Sequence, residues 1–173
     1  MTAFAPPHQT PVAQAARLDL PLYGATFGQS VSRFFRNYAR FSGRASRSEF
    51  WWAYLFQSII GFVLGTLLGI VLMIAMLAVF ASAVQGNTET LGAFGIPQVT
   101  IDVVVAIGVP TIVSLVLLLP LLVPSIAVTV RRLHDTNRSG WWYLLSLVPV
   151  GGYVVLVFAI LEPDPAGARF DVR

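Results

Sequence analysis

Polar and apolar residues segregate along this chain into long blocks. Phe50 to Thr88, Val103 to Val130 and Trp141 to Leu161 contain no charged side chain and consist mainly of Leu, Val, Ile, Ala and Phe. A helix that is apolar on every face needs an apolar solvent on every face, and about 20 such residues cross the roughly 30 Å hydrocarbon core of a bilayer. The pattern predicts an all-α integral membrane bundle with three transmembrane helices, at about residues 47–83, 100–132 and 140–161. The first run, Trp52 to Ala83, is longer than one crossing requires. It reads as a single tilted helix, with a re-entrant end as the alternative.

The polar blocks predict the remaining elements. Residues 1–25, with Pro6, Pro7, Pro11 and Pro21 among Ala, Gln and Thr and no apolar period, read as a disordered cytoplasmic tail. Residues 26–42 read as an amphipathic helix, with Arg33, Arg36 and Arg40 on one side and Phe34, Phe35, Tyr38 and Phe41 on the other. Such a helix either lies in the membrane interface or packs its aromatic side on the protein's own spans. Gly43 suits the left-handed end of that helix. Ser46-Arg47-Ser48-Glu49, just before the apolar run, has the form of a capping box and starts the first span at about Arg47. Gln85 to Pro97 read as an external loop, and residues 162–173 as a C-terminal tail.

Within the spans, Gly61, Gly65 and Gly69 form a small-residue groove for a second helix. The expected partner is another span of the same chain, a second copy being the alternative. Pro110, Pro120 and Pro124 each remove a backbone donor and can bend the second span. Trp51, Trp52, Trp141 and Trp142 sit where two spans begin and suit the headgroup level as interfacial anchors.

Charge sets the expected topology. The segments before, between and after the spans carry net charges of +4, −2, +2 and −1 within a total of +3. The positive-inside rule then places the N-terminus and the second connection in the cytoplasm, and three spans would put the C-terminus outside. All 11 cationic side chains are Arg. With no Cys in the sequence, disulfides and thiolate chemistry are excluded. No basic start or apolar run precedes Phe50, so the first span is expected to act as an uncleaved anchor.

The densest polar cluster is Arg131-Arg132-Leu133-His134-Asp135-Thr136-Asn137-Arg138-Ser139-Gly140. As a structural turn, Arg131 and Asp135 can pair at i, i+4, and Asp135, Asn137 or Ser139 can cap the next span. As a binding site, Arg131, Arg132, His134, Asp135 and Arg138 join Arg44 and Arg47 around an anionic headgroup or a partner.

Two blocks carry a family resemblance. Asn37-Tyr38-Ala39-Arg40-Phe41-Ser42-Gly43-Arg44-Ala45-Ser46-Arg47-Ser48-Glu49-Phe50-Trp51-Trp52 resembles the opening motif of the small bacterial inner-membrane proteins of domain-of-unknown-function family 805. Pro124-Ser125 through Arg131-Arg132-Leu133-His134-Asp135-Thr136-Asn137-Arg138-Ser139-Gly140-Trp141-Trp142 is similar to its second motif. The family usually closes on Asn-Arg-Phe/Tyr-Gly. Here Ala168-Arg169-Phe170-Asp171 keeps only Arg-Phe. The resemblance implies a bacterial inner membrane and a multi-span α-helical fold, and no established activity, substrate or catalytic residue.

Function classes follow from what the blocks hold. There are two His and no H-E-x-x-H, G-x-S-x-G or paired intramembrane carboxylates, so an enzyme has little to stand on and no cofactor or metal is expected. A transporter or channel would normally place ionisable groups at mid-membrane depth, and none occurs there. The expected reading is a non-enzymatic scaffold or anionic-lipid-interacting protein. Its basic cytoplasmic platform would be built from Arg33, Arg36, Arg40, Arg44, Arg47, Arg131, Arg132 and Arg138. The alternatives are an oligomeric small-solute transporter or channel, or an accessory subunit of a membrane complex. Expected partners are anionic membrane lipids, with a homo-oligomer or a membrane protein partner as the alternative, and not nucleic acid.

Overall fold

The computed structural model describes Leu18, residues 20–85 and residues 98–171. The expected disordered tail up to Arg17, Asp19, and the external loop beyond Gln85 lie outside the described residues. The helices in chain order are α1 (Phe27–Arg36), α2 (Arg47–Val84), α3 (Gln98–Asp135), a first 3₁₀ helix (Gly140–Leu147), α4 (Gly151–Ile160) and a second 3₁₀ helix (Pro165–Phe170). Among the described residues there is no strand. The chain divides into two compact units, residues 1–56 with 121–173, and residues 57–120.

The first unit is a polar cap around the start of α2 and the end of α3. The capping box forms as its residue types predict: Glu49 N–H donates to Ser46 Oγ at 3.2 Å and Ser46 N–H donates to Glu49 Oε2 at 3.0 Å. This satisfies amide donors that a helix start leaves unpaired. Order reaches further toward the N-terminus than the Pro-rich composition suggests. Leu22 N–H donates to Glu49 Oε2 and Ala25 N–H to Ser48 Oγ, so residues 20–25 are strapped onto the start of α2.

α1 has its own capping box, Thr26 with Gln29, and stops at Arg36 rather than at residue 42. Asn37 ends it: its N–H closes on Arg33 O, and its side chain is buried. Gly43 is left-handed, with φ +83°, but in the following loop rather than at the helix end. The two faces of α1 also differ from the expected ones, because Arg33 and Phe34 are both buried. The apolar centre of the cap comprises Phe34, Ala45, Phe50, Ala53, Val128 and Ala159, with Phe56 and Leu121 packed against it.

The second unit consists of the distal lengths of α2 and α3. Each of these helices has 38 residues, about 57 Å at 1.5 Å per residue. Both are long and apolar enough to cross a membrane. Their large side chains are exposed, Phe62 by 75% and Phe80 by 68%. A surface of that kind is tenable only in hydrocarbon or against another protein. Half-buried positions on α2 (Leu64, Leu68, Leu72, Ala75, Val79, Ser82) recur at helical spacing. Gly61, Gly65 and Gly69 are not packed as a groove within the chain, since a Cβ built on any of them meets nothing within 4 Å.

The third apolar segment is not a span. It is a 3₁₀ helix and a ten-residue α-helix joined by a sharp turn at Val148-Pro149-Val150. Pro149 has no amide hydrogen to continue a helix. Gly151 permits the turn, because a Cβ there would lie 1.8 Å from Leu145 O. α4 is about 15 Å long, half of what a crossing needs. Both ends of the segment return to the last turns of α3. Gly140 lies against Val130 and His134, and at the other end Ala159 O and Leu161 O accept from Arg132. Residues 140–161 are therefore a helical hairpin. A 21-residue apolar run satisfies the composition of a crossing and of a hairpin alike, which is why the sequence pattern predicts three spans.

The tail follows the hairpin back. Asp164 N–H donates to Asp135 O at 2.8 Å, and Gly43 N–H donates to Phe170 O at 3.1 Å. The C-terminal tail thus lies in the cap together with residues 20–49.

Candidate functional site: the polar cap

Two buried carboxylates organise the cap. Glu49 is 3% exposed and accepts from Arg33 Nε, which is itself buried, while Arg33 Nη2 donates to Leu20 O at 2.6 Å. Asp135 is fully buried and accepts from Arg132 Nη1 and, at 3.1 Å, from Tyr23 Oη. Arg44 Nη1 stands 3.7 Å from the same carboxylate. Arg44 turns its fork to Asp171, with Nε and Nη2 at 2.8 and 2.7 Å from the two oxygens. This planar, bidentate geometry is why Arg rather than Lys suits the position.

The carbonyls at the end of the hairpin complete the network. Arg132 donates through Nε to Ala159 O at 3.0 Å and through Nη2 to Leu161 O at 2.5 Å, and Arg47 Nε donates to Leu161 O at 3.0 Å. α4 ends with carbonyls that lack intrahelical partners, and cations there also meet the negative end of the helix dipole. The hairpin is therefore held by its own last turn.

Asp135 pairs with Arg132 at i+3 and not with Arg131 at i+4. Arg131 is 1% exposed, and its Nε and Nη1 have no hydrogen-bond partner among the described residues. Its backbone carbonyl accepts from Ala45 N–H at 3.0 Å. Arg138 donates to Thr136 O and lies 4.2 Å over the Phe158 ring. Asn137, with φ +58°, ends α3 in the left-handed conformation, and Ser139 Oγ caps the first 3₁₀ helix by accepting from Trp141 N–H. Of the three expected caps, Ser139 serves the next element.

His134 is kept apart from the carboxylates. Its Nδ1 is 3.1 Å from Gly43 O, and its ring stacks on Phe170 at 4.2 Å and 5°. A carbonyl can only accept, so Nδ1 carries the proton and Nε2 is the acceptor in the neutral ring. Asp135 spends its oxygens on Arg132 and Tyr23, so the adjacent His and Asp do not form a base–orienter pair.

The remaining predicted residues sit on the outside. Trp51, Trp52, Trp141 and Trp142 are exposed, and Phe27, Phe34, Phe35, Phe56 and Trp52 form edge-on contacts between α1 and the start of α2. Arg36 is exposed and Arg40 half-buried. Tyr23 and Asp171 were not legible as cap residues, since each acts through a partner distant in sequence. For Gly151 there was one local signal, the Pro149-Val150-Gly151-Gly152 run. Burial, then the Asp135 carboxylate, push the Tyr23 phenol up to about 12. The hydrogen bonds that Arg44 donates to Asp171 hold its guanidinium above its ordinary value.

The residues that build this cap lie mostly within a single family match. A family described as "Protein of unknown function (DUF805)" matches residues 38–172. The chain belongs to the DUF805 family. Inner membrane protein YhaH of Escherichia coli (strain K12) is 35% identical over 136 residues, covering 78% of this chain and 87% of that protein. Inner membrane protein YhaI of the same strain is 30% identical over 136 residues, covering 78% and 86%. No solved structure matches the chain. Together with two apolar helices of spanning length, the relatives make this an inner-membrane protein of unspecified activity.

Proposed function

We propose that this protein is a non-enzymatic, two-span membrane scaffold whose cap faces the cytoplasm and meets anionic lipid through an outer cationic rim. The observation that carries this reading is the division of the cap's arginines. Arg33, Arg44 and Arg132 neutralise buried carboxylates and Arg131 is enclosed, whereas Arg36 is exposed and Arg40, Arg47 and Arg138 reach the surface only in part. The same unit carries exposed Trp side chains, which favour headgroups. A positive cap belongs on the cytoplasmic side, which would place residues 20–49 and the tail there together. Clustered Arg beside a membrane attracts anionic headgroups at about 1 kcal/mol each.

Native mass spectrometry of the full chain in a lipid-preserving detergent tests this, beside Arg36→Gln/Arg40→Gln/Arg138→Gln, which leaves the carboxylate pairs intact. Retained phosphatidylglycerol or cardiolipin should fall in the variant. Equal retention contradicts the rim. An oligomeric transporter or accessory subunit is the second reading, favoured by the open Gly61, Gly65 and Gly69 face. Solute flux through reconstituted protein, absent from empty vesicles, would decide for it.

A further inference from the structure

The cap contains a cavity that the ion-pair network leaves unused. It has a volume of about 450 Å³ and is walled by Phe41, Ile126, Val130, Trp141, Tyr143 and Leu144, with His134, Ser139 and Gly140 on its polar side. Ligand cavities typically run from about 300 to 1,000 Å³ and combine apolar walls with a few placed polar groups. Trp141 at its edge is 78% exposed. In an inner-membrane protein, a large exposed indole beside an apolar opening belongs at the bilayer interface.

His134 gives the cavity its chemistry. Gly43 O engages Nδ1, and the far side of the ring faces the cavity: a Cβ on Gly140 would stand 3.4 Å from Nε2. The same Cβ would meet Val130 Cγ1 at 2.6 Å, so the missing side chain of Gly140 keeps Nε2 reachable. Stacking on Phe170 fixes the ring's plane. The wall therefore offers a positioned, uncharged acceptor, with the Ser139 hydroxyl beside it. Among the described residues, no guanidinium lines this cavity. Arg132 is turned to Asp135 and the hairpin carbonyls, Arg44 to Asp171, and Arg169, whose charge reaches His134, donates to Asn137 O.

We propose that this cavity binds a single-chain membrane amphiphile with an uncharged hydroxyl head, the hydroxyl donating to His134 Nε2 and the hydrocarbon chain lying against Ile126, Val130, Tyr143 and Leu144. A neutral acceptor selects a donor. A carboxylate or phosphodiester would bring its own lone pairs to Nε2 and leave water without a cation to replace it. A polar solute would waste the aromatic and aliphatic walls. The site rests on the membrane placement of the chain and is independent of the cationic rim, so either can fail alone.

The test uses the full chain in phosphatidylcholine nanodiscs and a monoacylglycerol carrying a diazirine in its acyl chain. Cross-links mapped by mass spectrometry should concentrate on the peptides holding Ile126–Val130 and Tyr143–Leu144. Unlabelled monoacylglycerol should compete, and the fatty-acid methyl ester, which lacks the hydroxyl, should compete about three- to tenfold less well. His134→Asn keeps a donor for Gly43 and removes Nε2. Labelling there should drop about three- to tenfold, which is what one neutral hydrogen bond is worth. Leu144→Trp fills the cavity from an exposed wall without touching His134, and labelling should be lost with unfolding temperature unchanged. Labelling spread evenly over the lipid-exposed helices would overturn the site. Equal competition by the methyl ester would overturn the hydroxyl–His134 contact, and equal competition by phosphatidylglycerol would overturn the uncharged head.

Discussion

Removing the Asp135 carboxylate should open the cap selectively. In Asp135→Ala, Arg132 stays enclosed at 1% exposure, retains the Ala159 and Leu161 carbonyls, and loses the one carboxylate paired with it among the described residues. Tyr23 Oη loses its acceptor, and Arg44 keeps Asp171. Breaking a buried pair by deleting one partner costs about 3–5 kcal/mol, because the charge left behind is neither solvated nor paired. The carbonyls that still hold Arg132 place the expected cost near the lower end, about 3 kcal/mol, or roughly 100-fold in the opening equilibrium. Hydrogen exchange in nanodiscs reads this directly. The Asp164 and Gly43 amides, bonded to Asp135 O and Phe170 O, report whether the tail is docked. Their protection should fall by about that factor, while amides in residues 57–80 of α2 keep theirs. Arg132→Met on top of Asp135→Ala removes the stranded charge and should recover part of the loss, a non-additivity of 1 kcal/mol or more. Unchanged protection in the single variant, or strict additivity in the double, would refute the view of Asp135 as the hub.

Four further outcomes follow from the same geometry. Glu49→Ala deletes the Arg33 partner and the helix cap together, and should lower cap stability by about 3 kcal/mol or more, read by denaturant titration of Trp fluorescence. Gly151→Ala puts a methyl group 1.8 Å from Leu145 O and should open the hairpin, exposing residues 145–151 to limited proteolysis. Tyr23 ionises at about 12 when folded against 10.0 unfolded, so its contribution is complete below pH 10 and is lost as pH rises from 10 to 12. Tyr23→Phe should remove that component of the alkaline stability loss. Gly65→Ala meets open space and should leave the monomer's stability unchanged or slightly raised, by less than about 1 kcal/mol, in a thermal melt. A destabilised monomer would mean that the groove is packed after all.

What could be read from the sequence was what local chemistry determines. The start of α2 at Arg47 follows from Ser46 and Glu49, three residues apart. The two long helices follow from charge-free blocks whose length exceeds the bilayer. The roles of the arginines were not legible, because they depend on distant partners: Arg44 meets Asp171 across 127 residues, and Arg47 meets Leu161 across 114. A stripe of three Arg at 33, 36 and 40 looks basic and solvated until Glu49 takes Arg33 inward. Hydropathy is also blind to direction, so residues 140–161 score as a crossing although Pro149 and Gly151 fold them back.

The central claim is that this third apolar segment turns back inside the membrane and returns the tail to the cap. Because the chain contains no Cys, single cysteines report cleanly. Ser32→Cys on α1 and Ala166→Cys in the tail, each exposed, can be labelled with a membrane-impermeant maleimide in right-side-out and inverted vesicles. The account predicts that both react from the same side, the cytoplasmic one. Labelling of position 166 from the side opposite to position 32 would contradict it.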